Sequence, residues 1–495
     1  MIERYRKPVI SAIWSDEYKL RLWQASEFAA IQAQQELGRF PQGTSYEVAL
    51  VLEASPIDID WWLKEDEKIH HDLIAFLNER RRFLPQNLQK FWHKNMTSFD
   101  TEEPAFGKML VESIAVVETK VKALLETLRV LSLKHRYTLM LARTHGQGGE
   151  GQSFGKMVLT WHTELRTAWE LLQLSSNYSL KFSKMSGAAG NYGGLDPEVE
   201  KRALGILGFK PLYGATQVMP RILYAPIAQG LANLATVLHK IGLDIRLKAR
   251  SPRPLLQEPF KKTQKGSSAM PHKKNTIRTE QLEGMARLAK SFASAIADGI
   301  ETWEERAIEQ SCVERVAWPD LFHVIVHSLE VLTGVVSKMP VYADNMLAEL
   351  VETCGCYAAA EAKEKLKELG ESFGLTAQDA YDIVQLAAFN AFEPTPEARE
   401  IRQQIPESLL DAGILLDEMK MCPERQRQTI ETIIADGALH TSPELSSDEA
   451  TVARWNGMLL AIFEKPEACQ SWNEVFDPEE LLRHEHVLFE NAFGV

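Results

Sequence analysis

The chain has 495 residues, 45% of them apolar and 25% charged, which excludes a disordered, collagenous or membrane-dominated protein. Acids outnumber bases by 68 to 55, and the net charge of −13 excludes nonspecific nucleic-acid binding through a basic surface. The five cysteines, Cys312, Cys354, Cys356, Cys422 and Cys469, are odd in number and suggest no disulfide framework, so a reducing cytoplasm is expected. Cys354 and Cys356 are too isolated to form a metal site, and no metal or cofactor is expected.

The opening, MIERYRKPVISAIW, lacks the apolar core of a signal peptide. Helical periodicity then dominates. Leu110, Ile114, Val117, Val121, Leu124, Leu128 and Leu131 alternate spacings of four and three, which predicts a long helix over about 109–133. The uncharged stretch from Ile222 to His239 is the nearest thing to a membrane span. It holds Pro226, Gln229, Gly230 and Asn233, and a buried core helix is expected instead. Its stripe is Ile227, Leu231, Leu234, Leu238, Ile241 and Ile245. Two further helices are predicted, through Leu282, Met285, Phe292 and Ile296 and from Trp318 to Val336. No alternation long enough for a sheet is evident, and no repeat is found.

Breaks are expected at Thr97–Pro104, Ser186–Pro197, Ser251–Asn275 and near Pro340. The expected class is all-α, in three helical domains. Residues 1–105 form the first, 106–349 a central bundle of long helices, and 350–495 the last, with an extra segment near 410–470. Within that segment DGALHTSPELSSDEA reads as an exposed polar loop.

The stretch KKTQKGSSAMPHKKNTIR, residues 261–278, carries six basic residues and no acid inside an acidic protein. It is either a solvated basic loop or a lid that closes over a polyanionic substrate. In the second case lysines stabilise developing charge, and a neighbouring serine becomes unusually acidic.

Gly266-Ser267-x-x-Met270-x-x-Lys273-x-Asn275 resembles the signature loop of the fumarase/aspartase superfamily. The longer run QKGSSAMPHKKN is similar to its form in adenylosuccinate lyases. Other segments match in the same order. Arg4-Tyr5 resembles the pair that contacts the substrate phosphate, and His71-Asp72 resembles the substrate-contacting His-Asp segment. Thr97-Ser98 resembles a carboxylate-binding turn, and Thr144-His145 the motif of the general acid. Gln217 falls in a substrate-holding segment, and Arg306, Ser311 and Arg315 resemble the stretch ERDxxxSxxER. Residues 476–495 resemble the family's C-terminal helix, so the likeness spans nearly the whole chain, with a gap near 410–470.

The resemblance implies β-elimination of fumarate from a C–N bond, without a cofactor. It implies Ser267 as base and His145 as acid, with Lys273 and Asn275 stabilising the dianionic intermediate. His71 would orient the substrate, supported by Glu280, and Ser268 and Met270 would line the lid. It also implies a nucleotide substrate and a homotetramer with shared active sites. Departures stand at Thr276, where proline is usual, at Ala307, where aspartate is usual, and in the glycine-rich run Gly146–Gly151, expected to widen the pocket or add flexibility. These leave open another lyase or cycloisomerase of the superfamily with a non-nucleotide substrate. A non-catalytic helical scaffold also stays open, although a scaffold has no need of these residues.

Overall fold

The structure, a computed structural model, describes residues 1–353, 355–392 and 449–494. The polar run expected as a loop in the 410–470 segment lies almost wholly outside the described residues. The fold class is all-α as expected. Among the described residues the helix Asp16–Glu36 and five others exceed twenty residues: α1 (Ser98–Lys134), α2 (Phe154–Ser179), α3 (Ala225–Lys248), α4 (Ile277–Ala297) and α5 (Glu309–Val336).

The periodic stripes are the buried faces. Leu110, Val117, Val121, Leu124 and Leu128 of α1 are buried, with Ile114 and Leu131 at the margins. All six stripe residues of α3 are fully buried. Burying a leucine or isoleucine contributes about 1.5–3 kcal/mol, so each stripe holds its helix where helix propensity alone would not. By length and composition α5 is apolar enough to cross a membrane, yet Trp318, Phe322, Ile325 and Leu329 sit fully buried in protein. It is a core helix.

One expected break is misplaced. Helix α1 begins at Ser98 and runs through Pro104 rather than starting after it. The start is secured locally: the Thr97 N–H donates to Asp100 Oδ2 at 2.9 Å, and the Asp100 N–H donates to the Thr97 carbonyl at 3.0 Å. That reciprocal cap starts the helix well before Pro104, which lies inside α1 and removes one backbone hydrogen bond without ending the helix.

The chain divides into two compact units. The first comprises Met1–Glu126, Thr163–Asp244 and Asn275–Val335. In it Lys240 of α3 pairs with Glu164 of α2 at 3.2 Å, and Phe106 of α1 meets Trp318 of α5 edge-on at 6.2 Å. A satellite core around Trp23, Phe76 and Trp92 joins the N-terminal helices Asp16–Glu36 and Asp72–Arg81.

The second unit comprises Thr127–His162, Ile245–Lys274 and Val336–Val495. Its core gathers Leu141, Leu350, Tyr357, Leu459, Trp472 and Phe476. It also holds an antiparallel hairpin of β1 (Leu139–Thr144) and β2 (Gln147–Ser153), which no sequence alternation announced. The reason is that β2 carries Gly148, Gly149 and Gly151, whose missing side chains erase the period-two signal. At Gly151 no space is left for a wider pocket. A Cβ on Gly151 would stand 2.9 Å from Leu481 Cδ1, so the gap is already filled.

Gly155 opens α2 against the end of α1. A Cβ there would stand 2.5 Å from the Ser132 carbonyl oxygen and 2.6 Å from Arg136 Cα. Backbone cannot move aside as a side chain can. Gly155→Ala is expected to destabilise the protein by about 1–3 kcal/mol, read as a lowered midpoint in thermal unfolding at fixed scan rate.

Candidate functional site

The first unit gathers most of the expected binding residues. The helix Asp72–Arg81 begins at His71, whose Nδ1 accepts the Ile74 N–H at 3.4 Å. His71 is therefore the N-cap of this helix, yet its side chain stays 42% exposed and open to a ligand. The next residue, Asp72, accepts from its neighbour Leu73 N–H at 2.8 Å and from Arg315 at 2.7 Å. Arg315 rises from α5 one turn after Ser311, which is buried and donates to the Ile308 carbonyl at 2.8 Å. Thus Asp72, Ser311 and Arg315, far apart in sequence, line one cavity of about 250 Å³.

A second group surrounds the Thr97-Ser98 turn. The Thr97 and Ser98 hydroxyls make no hydrogen bond with any described residue, which leaves both free for a carboxylate. Gln217 donates to the Ala188 carbonyl at 3.0 Å and accepts from Arg306 at 3.0 Å. The Arg306 guanidinium lies 4.1 Å from the centre of the Phe99 ring. Arg306, Gln217 and the Thr97 turn therefore form one connected wall.

What locks that wall is a buried ion pair that the sequence reading did not single out. Lys184 Nζ lies 2.6 Å from Asp100 Oδ1 and donates to the Gly187 carbonyl at 3.0 Å. The Gly187 N–H donates back to the same Asp100 oxygen at 3.1 Å. Both side chains are fully buried. A second such cluster holds Arg221 between Glu103 at 2.5 Å and Glu314 at 2.8 Å. Burial acts against the Arg221 charge, but the two carboxylates outweigh it and raise its pKa further. Burial also pushes the Glu314 carboxyl up, against the pull of Arg221. The signal available was modest: Asp100 follows Thr97-Ser98 closely, and Lys184 gives no local sign of its partner.

Arg4 and Tyr5 lie on a short 3-10 helix, Glu3–Tyr5. Arg4 is exposed, and Tyr5 meets His327 of α5 edge-on at 5.1 Å. Asn275 is half-buried just before α4, and Glu280 is exposed in its first turn.

The second unit carries the residues expected to move protons. Thr144 ends β1, and His145-Gly146 forms the two-residue turn to β2. Both have positive φ, 53° and 81°, the sign pattern of a type I′ hairpin turn. For a histidine this backbone is uncommon, and it holds the imidazole out at the tip, exposed. The lid segment closes on itself. A Cβ on Gly266 would stand 1.9 Å from the Lys273 carbonyl oxygen, so only glycine fits there. Ser267 Oγ accepts the Met270 N–H at 3.1 Å, and the Met270 carbonyl accepts the Lys273 N–H at 3.1 Å. Ser268, Met270 and Lys273 are exposed. This fold-back brings Ser267 and Lys273 onto one compact loop.

Comparison with known proteins places the chain among lyases. A family model described as "Lyase" matches residues 60–289. The adenylosuccinate lyase of Thermotoga maritima is 34% identical over 392 residues, 79% of this chain and 89% of that protein. The adenylosuccinate lyase of Synechocystis sp. is 36% identical over 393 residues, with the same coverage of 79% and 89%. The crystal structure of a fumarate lyase from Mesorhizobium sp. BNC1 superposes with a TM-score of 0.70 at 18% identity, over 93% of this chain and 99% of that one. The structural likeness supports the fold.

Lys184→Met leaves Asp100 a buried carboxylate without its cation. The expected cost is about 3–5 kcal/mol, read as a lowered denaturant midpoint. The double variant Lys184→Met/Asp100→Asn is expected to recover much of that loss, a coupling that a double-mutant cycle measures.

Proposed function

The chain belongs to the adenylosuccinate lyase family, and from that membership we propose that it releases fumarate from adenylosuccinate to leave AMP. The succinylated aminoimidazole carboxamide ribotide, which presents the same succinyl C–N bond, is its second substrate. The observation that carries the reading is the lid. There a serine hydroxyl accepts a backbone N–H while a lysine is drawn to the other end of the same closed turn.

In the proposed reaction Ser267, as alkoxide, removes the proton from the succinyl carbon next to a carboxylate. The electron pair of that C–H bond moves onto the carboxylate, giving an aci-carboxylate dianion. It then returns to form the C=C bond of fumarate as the C–N bond breaks. The leaving nitrogen keeps the C–N pair and takes a proton from His145. A serine hydroxyl is a poor base in water. The Met270 N–H that donates to it favours its ionised form, and the Lys273 ammonium on the same loop would add to that effect on closure over substrate. Lys273 and Asn275 stabilise the dianion. Thr97 and Ser98 hold the departing carboxylate, and His71, backed by Glu280, orients the substrate. Arg4 and Tyr5 take the phosphate, with Arg306, Gln217, Ser311 and Arg315 holding the rest of the nucleotide.

Ser267 and His145 are carried by one unit and most of the binding residues by the other. We propose that the complete site forms in a homotetramer, where different subunits contribute these groups. Exposed apolar residues one turn apart on α2, Leu171, Leu174 and Tyr178, support self-association.

Fumarate release from both substrates, followed by absorbance, tests the reading. Wild type is expected to turn over both. Ser267→Ala and His145→Gln are each expected to lower kcat by about 10²–10⁴ with little change in KM. A folded wild-type protein that releases fumarate from neither substrate refutes the proposal.

A further inference from the structure

The cavity in the first unit has a charge pattern that the lyase chemistry does not use. Three cations line it, and each is already partnered. Lys19 pairs with Asp16 at 2.8 Å, and Arg315 with Asp72 at 2.7 Å. Arg221 lies between Glu103 and Glu314. Glu102 also lines the cavity, from the face of α1 that carries Phe99 and Phe106. Alone among the charged side chains lining it, Glu102 has no hydrogen bond or ion pair with any described residue. Five acids thus face three cations around a space also walled by Trp14, Trp23, Phe99 and Phe106. Paired charges beside aromatic walls of this kind suit a flat, uncharged, polar ring. An unpartnered carboxyl in a largely buried wall is costly unless a ligand satisfies it.

We propose that Glu102 is a substrate-contacting, specificity-determining residue whose carboxyl hydrogen-bonds an uncharged acceptor of the nucleoside, a ring nitrogen or a ribose oxygen. This rests on the nucleotide reading above and adds the group that recognises the uncharged part. The surroundings keep the carboxyl in its donor form. Burial first, then the neighbouring Asp72, push it up to about 8, with Glu103 adding and Arg315 and Arg306 opposing. At pH 7 the group is mostly protonated and donates. Above about pH 8 it loses the donor proton and brings a further negative charge to an acidic cavity, so nucleoside affinity falls as pH rises.

Calorimetric binding of AMP and of adenosine at pH 7.0 and 9.5 tests this on wild type, Glu102→Ala and Glu102→Gln. For Glu102→Ala, both ligands are expected to weaken at pH 7.0 by the same factor, about 3- to 10-fold, the size of one neutral hydrogen bond. Wild type is expected to weaken again at pH 9.5. Glu102→Gln, which keeps a donor and cannot ionise, is expected to hold the pH 7.0 affinity at both pH values. Should Glu102→Ala not fold, the pH response of Glu102→Gln still decides. Unchanged binding by Glu102→Ala, a loss confined to AMP, or a Glu102→Gln that keeps the wild-type pH response each overturns the proposal. Wild type that binds neither ligand refutes the nucleotide reading together with this one. Wild-type AMP binding that Glu102→Ala leaves intact refutes only the role of Glu102.

Discussion

The buried pair of Lys184 and Asp100 is the constraint on which the binding wall depends. One oxygen of Asp100 meets the lysine and the Gly187 N–H, and the other caps the Thr97 N–H. A single carboxylate therefore ties the start of α1 to the loop after residue 184. That loop presents the Ala188 carbonyl to Gln217, and Gln217 in turn holds Arg306. Four segments distant in sequence become one surface through one charge. Such a pair adds little net stability, because desolvating two ions costs about as much as their attraction returns. Its value lies in direction: few other arrangements satisfy all of its donors at once.

The same logic governs the cavity. Arg221 sits between two glutamates, and Arg315 is held by Asp72. Cations already neutralised do not attract a distant anion strongly. Recognition there falls to shape, aromatic walls and the one carboxyl left without a partner. The two units differ in this respect. The lid is basic and its lysines stand in solvent, suited to a dianionic intermediate, while the cavity is acidic and partly closed. Charge of opposite sign is thus sorted onto different parts of the chain, where the net charge of −13 averages it away.

Two local devices place the groups proposed to transfer protons. At the hairpin tip, His145 adopts a backbone that most side chains avoid, because the register pairing Thr144 with Gln147 leaves only two residues to turn. In the lid, Gly266 permits two backbone segments to cross at a distance no side chain allows. Both are cases in which backbone geometry, rather than side-chain packing, sets the position of a reactive atom.

The sequence by itself determined the helical class and the faces of the long helices, and it supplied the chemical groups on which the proposed reaction rests. Apolar spacing of three and four is a property of a single helix, so it can be read without knowing any neighbour. The lid motif could be read because its residues are contiguous. The hairpin could not, since glycines carry no periodic signal, and the start of α1 was misread because a cap at its first turn outweighed Pro104. The Lys184–Asp100 pair, the Arg221 cluster and the isolation of Glu102 were decided only by the tertiary structure. Each depends on which charges meet across sequence separations of up to about a hundred residues or more. Pairing energy is a function of distance in space, and no local pattern in the chain encodes that distance.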